Sequence, residues 1–298
     1  MIRSGIIGKT HFITTAGRLC LLRPVVLTLV LLLLPAAPID ATDFLSSSEV
    51  AYISLGSASV LGLGQWAKKF DSSRTSLITG PLPVEMRVQK LLGGDYPKDQ
   101  RNNFLNHTLG SMYTPSIGAV ALLAIDATRG EEDSHRRAAQ NMFLYFSGLA
   151  ATKGVTGIFK GLFARPRPYV CFETDPARQL SGKGYARDHQ SFFSGHTSSA
   201  FFAMAFLNKR IRGVMRQEMS TQEYRTWRWA PSAFLLGWAS FVGLSRIQAH
   251  QHFLSDVVAG ALAGYLIAEL YYSFADEISR RGIDSSQQGT LLRITFAF

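Results

Sequence analysis

Apolar residues gather in six stretches of the chain, 50–66, 109–125, 138–163, 196–207, 229–244 and 254–274. In each the run is broken by Gly, Ser, Thr or an occasional charge rather than by strict alternation, and each is long enough for several helical turns. The pattern predicts an all-α protein, a helical bundle over 109–275. A polar, amphipathic connection covers 67–107, and the bundle is preceded by an extracytoplasmic segment at 42–108. Strand-like alternation is confined to "LLRITFAF" in the tail at 276–298, which reads equally as a short strand, a membrane-surface tail or disorder.

Small residues refine this picture. Gly157 and Gly161 are four apart, as are Gly260 and Gly264. That spacing puts both glycines of a pair on one helix face and lets a neighbouring helix come close, as membrane helices do. A membrane-embedded bundle of about five or six spans is expected, with close packing in a water-soluble bundle as the alternative. At the N-terminus, basic residues up to Arg23 precede "PVVLTLVLLLLPAAPIDA". This apolar run is short of the ~20 residues that cross a bilayer comfortably, so residues 1–41 read as a signal peptide cut after Ala41 or as an uncleaved signal anchor. Both imply export. If residue 41 is left outside and 50–66 does not cross, parity puts Lys160 at the outer face and 208–228 in the cytoplasm. The latter segment carries six Lys/Arg against two Glu, as the positive-inside rule prefers.

The formal charge of +10 changes little, because 1–41 holds part of it and no basic run or aromatic-interleaved stripe appears in the rest. Nucleic acid is therefore excluded as a partner. Two cysteines, Cys20 and Cys171, leave one thiol after the leader, which excludes an internal disulfide and a zinc site.

Three polar clusters interrupt the bundle, and parity places them at one end. "KGLFARPRP" holds Lys160, Arg165 and Arg167 where a helix runs into a proline-broken loop. "SFFSGHTSSAF" sets Ser194, Gly195 and His196 at a helix start, where free amides and the helix dipole favour an anion. "SRIQAHQHFLSDVVAG" adds Arg246, His250, His252 and Asp256. Together the parts suit a phosphate. Lys160, Arg167 and Arg246 can neutralise it, Ser194 and the Gly195 amide can donate to it, and histidines supply a nucleophile and a proton donor.

The residues Lys160-x6-Arg167-Pro168, Ser194-Gly195-His196 and Ser245-Arg246-x5-His252-x3-Asp256 resemble the three-part signature of the type 2 phosphatidic acid phosphatase (PAP2) superfamily, which also holds bacterial acid phosphatases and vanadium haloperoxidases. The resemblance implies a PAP2-type bundle and a phosphatase for a lipid phosphate monoester or diphosphate. It implies that His252 attacks phosphorus to form a phosphohistidine and that Asp256, four residues on and on the same helical face, holds the imidazole. His196 protonates the leaving group and later activates water. Lys160, Arg167, Arg246, Ser194 and Gly195 bind the phosphoryl oxygens, with no metal or other cofactor and membrane lipid as the setting. One position departs from the signature: Phe193 stands where proline usually precedes Ser-Gly-His, and an altered pocket rim is expected.

Other readings attach to the same residues. The chain suits a soluble extracytoplasmic acid phosphatase, a haloperoxidase holding vanadate, or a non-catalytic lipid-binding bundle. His250 is read as a neighbour of the nucleophile, because residues two apart on a helix point about 200° apart. His189 is a solvated loop residue or a substrate contact. Arg165 touches phosphate or faces solvent.

Overall fold

The computed structural model describes residues 45–69, 81–93, 109–128, 134–171 and 188–281. The leader, the "LLRITFAF" tail and most of the connection at 67–107 lie outside the described residues. Nine helices form the described part: α1 Ser47–Ala67, α2 Pro83–Gly93, α3 Thr114–Ala127, α4 Ser134–Phe163, the single turn α5 Pro168–Cys171, α6 Gly195–Glu218, α7 Thr221–Trp227, α8 Ala230–Gln248 and α9 Leu254–Arg281. No strand occurs among the described residues. The six apolar stretches became α1, α3, α4, α6, α8 and α9, and the fold is all-α.

Local signals explain where helices start. Ser46 caps α1 and exchanges hydrogen bonds with Glu49, and Ser220 does the same with Glu223 at α7. Pro115 and Pro231 stand in the first turns of α3 and α8, where no amide hydrogen bond is lost. A single π turn, Leu109–Tyr113, leads into α3.

The long helices alternate in direction between two ends of a bundle. Its core is built from Val60, Leu122, Leu144, Tyr145, Phe202 and Phe206, all fully buried. Tyr145 donates to the Pro115 carbonyl at 2.7 Å and packs edge-on against Phe206. Glycines set the closest helix contacts, as their spacing predicts. A Cβ on Gly157 would stand 2.5 Å from the Gly64 carbonyl oxygen and one on Gly161 would stand 2.2 Å from that of Ala67, so α4 packs backbone to backbone on α1. On α9, Gly260 and Gly264 meet the carbonyls of Ser194 and Ser198 on α6 in the same way.

These contacts fix how the segment 50–66 sits in the bundle. Val60 faces Gly154, Gly64 faces Gly157 and Ala67 faces Gly161, so α1 and α4 run parallel and side by side. At the other end the Leu45 amide reaches Gln140 at 3.4 Å. The segment 50–66 is thus a full member of the bundle, seated along α4. Residue 45 begins at the end away from Lys160. The parity of the crossing helices assumes that 50–66 does not cross, and the Gly and Ser that dilute its hydropathy are the residues that let it pack against α4.

Among the described residues two stretches, Ser134–Cys171 and Leu254–Ala275, are long and apolar enough to cross a membrane. Val120, Phe234, Phe241, Leu262 and Leu266 stand exposed on the outer faces of α3, α8 and α9, an apolar girdle suited to lipid.

Candidate active site

α4 carries Lys160 to its last turn and stops at Ala164, whose φ of 46° turns the chain out of the helix while its amide still reaches the Lys160 carbonyl at 3.3 Å. The next residues, through Arg167, form the first wall of the site. α6 opens on Ser194, whose hydroxyl oxygen accepts from the Thr197 amide at 3.4 Å and the Thr197 hydroxyl at 2.8 Å. The link between α8 and α9 carries His250 and His252.

Backbone hydrogen bonds join the three segments. The Ser191 amide donates to the Arg165 carbonyl at 3.0 Å, Tyr169 to that of His250 at 3.2 Å, and Ser194 to that of Asp256 at 3.0 Å. Residues far apart in sequence therefore converge. Gly195 lies beside Lys160, since a Cβ there would be 3.8 Å from Nζ and 3.2 Å from Thr156. The half-buried His196 abuts Gly110, where a Cβ would come within 2.8 Å of its own Cβ.

His252 is 1% exposed. Burial pushes its imidazole well below the usual histidine range, and the charges of Arg167, Lys160 and Arg246 push it further. The ring is neutral as a result. It hydrogen-bonds the Ser191 backbone, and its Nδ1 stands 3.5 Å from Ser191 Oγ and 3.8 Å from Asp256 Oδ2. Ser191 Oγ in turn donates to Asp256 Oδ2 at 2.5 Å. The expected direct bond from Asp256 to the imidazole is thus too long, and the buried Ser191 hydroxyl stands between them.

The helical argument about these residues also changes. α9 begins at Leu254, so His252 precedes the helix. Asp256 accepts from the Phe253 amide at 2.9 Å and so caps its own helix start. His250 is likewise in the link, with φ of 52°, a left-handed conformation unusual for histidine. Its side chain is held by α2: Nε2 lies 3.1 Å from the Gly93 carbonyl, and Nδ1 lies 3.1 Å from the Gln89 amide nitrogen. Burial lowers its proton affinity, consistent with a neutral ring that donates from Nε2 and accepts at Nδ1.

Arg165 overturns both of its expected roles. It is 1% exposed and its guanidinium forks between two carboxylates, Asp256 Oδ1 and Glu85 Oε2, each at 2.7 Å. It also donates to Ser255 Oγ at 2.7 Å and stacks 4.5 Å above the Phe253 ring. Glu85 comes from α2 and is itself buried. Burial raises its carboxyl, but bonds from Ser255 and the Leu82 amide, with the charge and bonds of Arg165, outweigh this and hold it below the usual range. Phe193 is also placed differently, 3% exposed and packed 5.3 Å from Phe159 in an aromatic cluster rather than on the rim. Arg167 donates to Gln251 at 2.5 Å, Arg246 is buried at the end of α8, and His189 is half-buried in the loop before α6.

Sequence reasoning missed Ser191, Glu85 and Gln89. The last two are four apart on α2, where Glu85 is the single acid, and that spacing was the available signal.

The PAP2 superfamily model matches residues 141–280. Phospholipid phosphatase 2 of Mus musculus is 28% identical over 153 residues, covering 45% of this chain and 52% of the mouse protein. The probable diacylglycerol pyrophosphate phosphatase 1 of Schizosaccharomyces pombe is 32% identical, covering 39% of this chain and 46% of the yeast protein. Lipid phosphate phosphatase 1 of Arabidopsis thaliana is 37% identical over 40% of this chain and 39% of its own length. The chain spans about half the length of the curated relatives it matches. No solved structure matches. Lys160, Arg167, Ser194, Gly195, His196, Arg246, His252 and Asp256 all fall within the matched segment, so the similarity to the PAP2 superfamily covers every one of these residues.

Proposed function

We propose that the protein is a membrane phosphatase that removes phosphate from a lipid phosphate monoester or diphosphate through a phosphohistidine. The observation that carries this is a buried His252 under the combined charge of Lys160, Arg167 and Arg246, with the Ser194-capped start of α6 tied to Asp256 by the backbone. A dianionic phosphoryl group is the ligand that such a cationic, amide-lined pocket suits.

With Nδ1 turned towards Ser191 and Asp256, the ring proton sits there and the Nε2 lone pair is left to attack phosphorus. The new P–N bond forms as the P–O bond to the leaving group breaks. His196 gives its proton to the departing oxygen, then takes one from the water that attacks phosphorus and breaks the P–N bond, releasing inorganic phosphate. Lys160, Arg167 and Arg246, the Ser194 hydroxyl proton and the Gly195 amide hold the equatorial oxygens as charge shifts in the transition state. Ser191 passes the Asp256 carboxylate's influence to the ring and keeps it oriented. The names of the relatives, phospholipid, lipid phosphate and diacylglycerol pyrophosphate phosphatases, support lipid-borne monoesters and diphosphates as the substrate class.

The site faces outward in this proposal. Residues 208–228, with their excess of Lys and Arg, lie at the end of the bundle opposite the site, and the positive-inside rule puts that end in the cytoplasm. Because α1 runs parallel to α4, residue 45 is then cytoplasmic as well. An outward-facing site therefore requires that the leader does not leave residue 45 outside.

Phosphate release from vesicle-borne phosphatidic acid, its diphosphate analogue and soluble phosphate esters, with His252→Ala as control, tests the function. Lipid turnover that survives EDTA and is lost in the variant is expected. Full turnover in His252→Ala would refute the mechanism.

A further inference from the structure

α2 has the reverse of the usual surface-helix pattern. Its polar residues Glu85 and Gln89 point inward, bound to Arg165, Ser255, His250 and the Ile247 carbonyl. Its apolar residues point out: Val84 is 55% exposed, Leu91 83% and Leu92 39%, with Leu82 just before the helix at 59%. At 100° per residue, Val84, Val88, Leu91 and Leu92 fall on one continuous flank, and the exposed Arg87 and Lys90 fall on the next. A helix facing water would place these flanks the other way round.

We propose that α2 is a bilayer-contact helix, its Val84–Val88–Leu91–Leu92 flank resting in the lipid layer that presents the substrate and its Arg87 and Lys90 flank against lipid phosphates. The inference rests on the lipid-phosphatase reading for its setting, since α2 sits at the site end of the bundle beside His250. An apolar flank edged by basic residues is the composition of helices that lie in the interface of anionic membranes. Protein interfaces, in contrast, are depleted in lysine. The opposite face of α2 meets the Arg165–Asp256 pair and the link that carries His252, so the helix joins the lipid surface to the site.

Two measurements on the full chain test this. In a Cys20→Ser, Cys171→Ser background, Leu91→Cys is labelled with an environment-sensitive dye in vesicles of phosphatidylcholine and phosphatidylglycerol. Acyl-chain bromine is expected to quench the label and aqueous iodide to leave it largely untouched, with the reverse for Lys90→Cys. Free access of iodide at position 91 would overturn the proposal. So would protection from both quenchers, which would mean that a second copy or another segment of this chain covers the flank.

In the second measurement, Val84→Ser with Leu91→Ser is expected to lower kcat/KM about tenfold on vesicle-borne phosphatidic acid and less than about twofold on a soluble aryl phosphate. Equal loss on both substrates, or none on either, would overturn it. If the unaltered protein releases no phosphate from lipid while bromine still quenches position 91, the phosphatase reading fails and the bilayer contact stands.

Discussion

Each end of the bundle buries an aspartate against an arginine, and the two pairs differ in what surrounds them. At the far end Asp126 is 2% exposed, with Arg210 at 2.6 Å on Oδ1 and the Asn141 amide at 2.7 Å on Oδ2. There one carboxylate meets one guanidinium and the charge is balanced. At the site end Asp256 and Glu85 share Arg165, while Lys160, Arg167 and Arg246 bear on the neutral His252 beside them. Similar ion pairs thus serve two purposes. The balanced one ties α3, α4 and α6 together, and the one beside a positive surplus adjoins His252, the nucleophile of the proposed mechanism, where an anion would complete the charge.

The largest effect that would sharpen this contrast is on turnover. His252→Ala is expected to lower kcat by at least on the order of 10⁴ and to abolish the phosphoenzyme, with the melting temperature little changed. Asp126→Asn should leave the kcat of the folded protein within about twofold. Loss of activity in folded Asp126→Asn would break the comparison, which kinetics and thermal melts on the two variants decide.

Stability separates the ends next. Arg165→Ala leaves two buried carboxylates facing each other and is expected to cost roughly 3–5 kcal/mol, whereas Arg210→Ala strands only one and should cost less. Denaturation in mild detergent measures both. Equal costs would mean that Glu85 adds nothing to the site-end pair.

Ser191→Ala removes the hydroxyl between Asp256 and His252 without altering either. An approximately tenfold fall in kcat with KM nearly constant is expected, because orientation of the ring matters most in the transition state. If kcat is unchanged, the ring is held by the backbone alone.

The pH dependence is smaller and has a definite sign. The folded protein lowers the proton affinity of His252, so below the ordinary histidine value of about 6.5 the unfolded chain binds a proton that the folded chain does not. This contribution to stability is fully present above that value and is lost as pH falls towards the lowered folded value. Melts at pH 7.5, 6.5 and 5.5 should show the decline, and His252→Asn should reduce its slope. The same shift keeps His252 unprotonated in mild acid, so under the proposed mechanism kcat/KM should hold up below pH 6.5. Gln89→Ala is expected to have the smallest effect, about 1 kcal/mol from loss of its bonds to Ile247 and His250.

Several parts of this arrangement are legible in the chain. Six apolar stretches determine six helices because burial follows local hydropathy, and Gly157, Gly161, Gly260 and Gly264 mark the close contacts because only glycine permits them. Lys160, Arg167, Ser194, Gly195, His196, Arg246, His252 and Asp256 can be picked out by type and spacing, and the fold brings their segments to one end. The parallel seating of α1 on α4 could not be read, since it depends on which backbone carbonyl a glycine meets. Nor could the roles of Arg165, Ser191 and Glu85. An arginine in a proline-rich loop reads the same whether it faces phosphate, water or two buried acids. Only the tertiary structure decides, because the energy of a charge depends on the groups within a few ångströms of it, and here those groups lie up to 91 residues away along the chain.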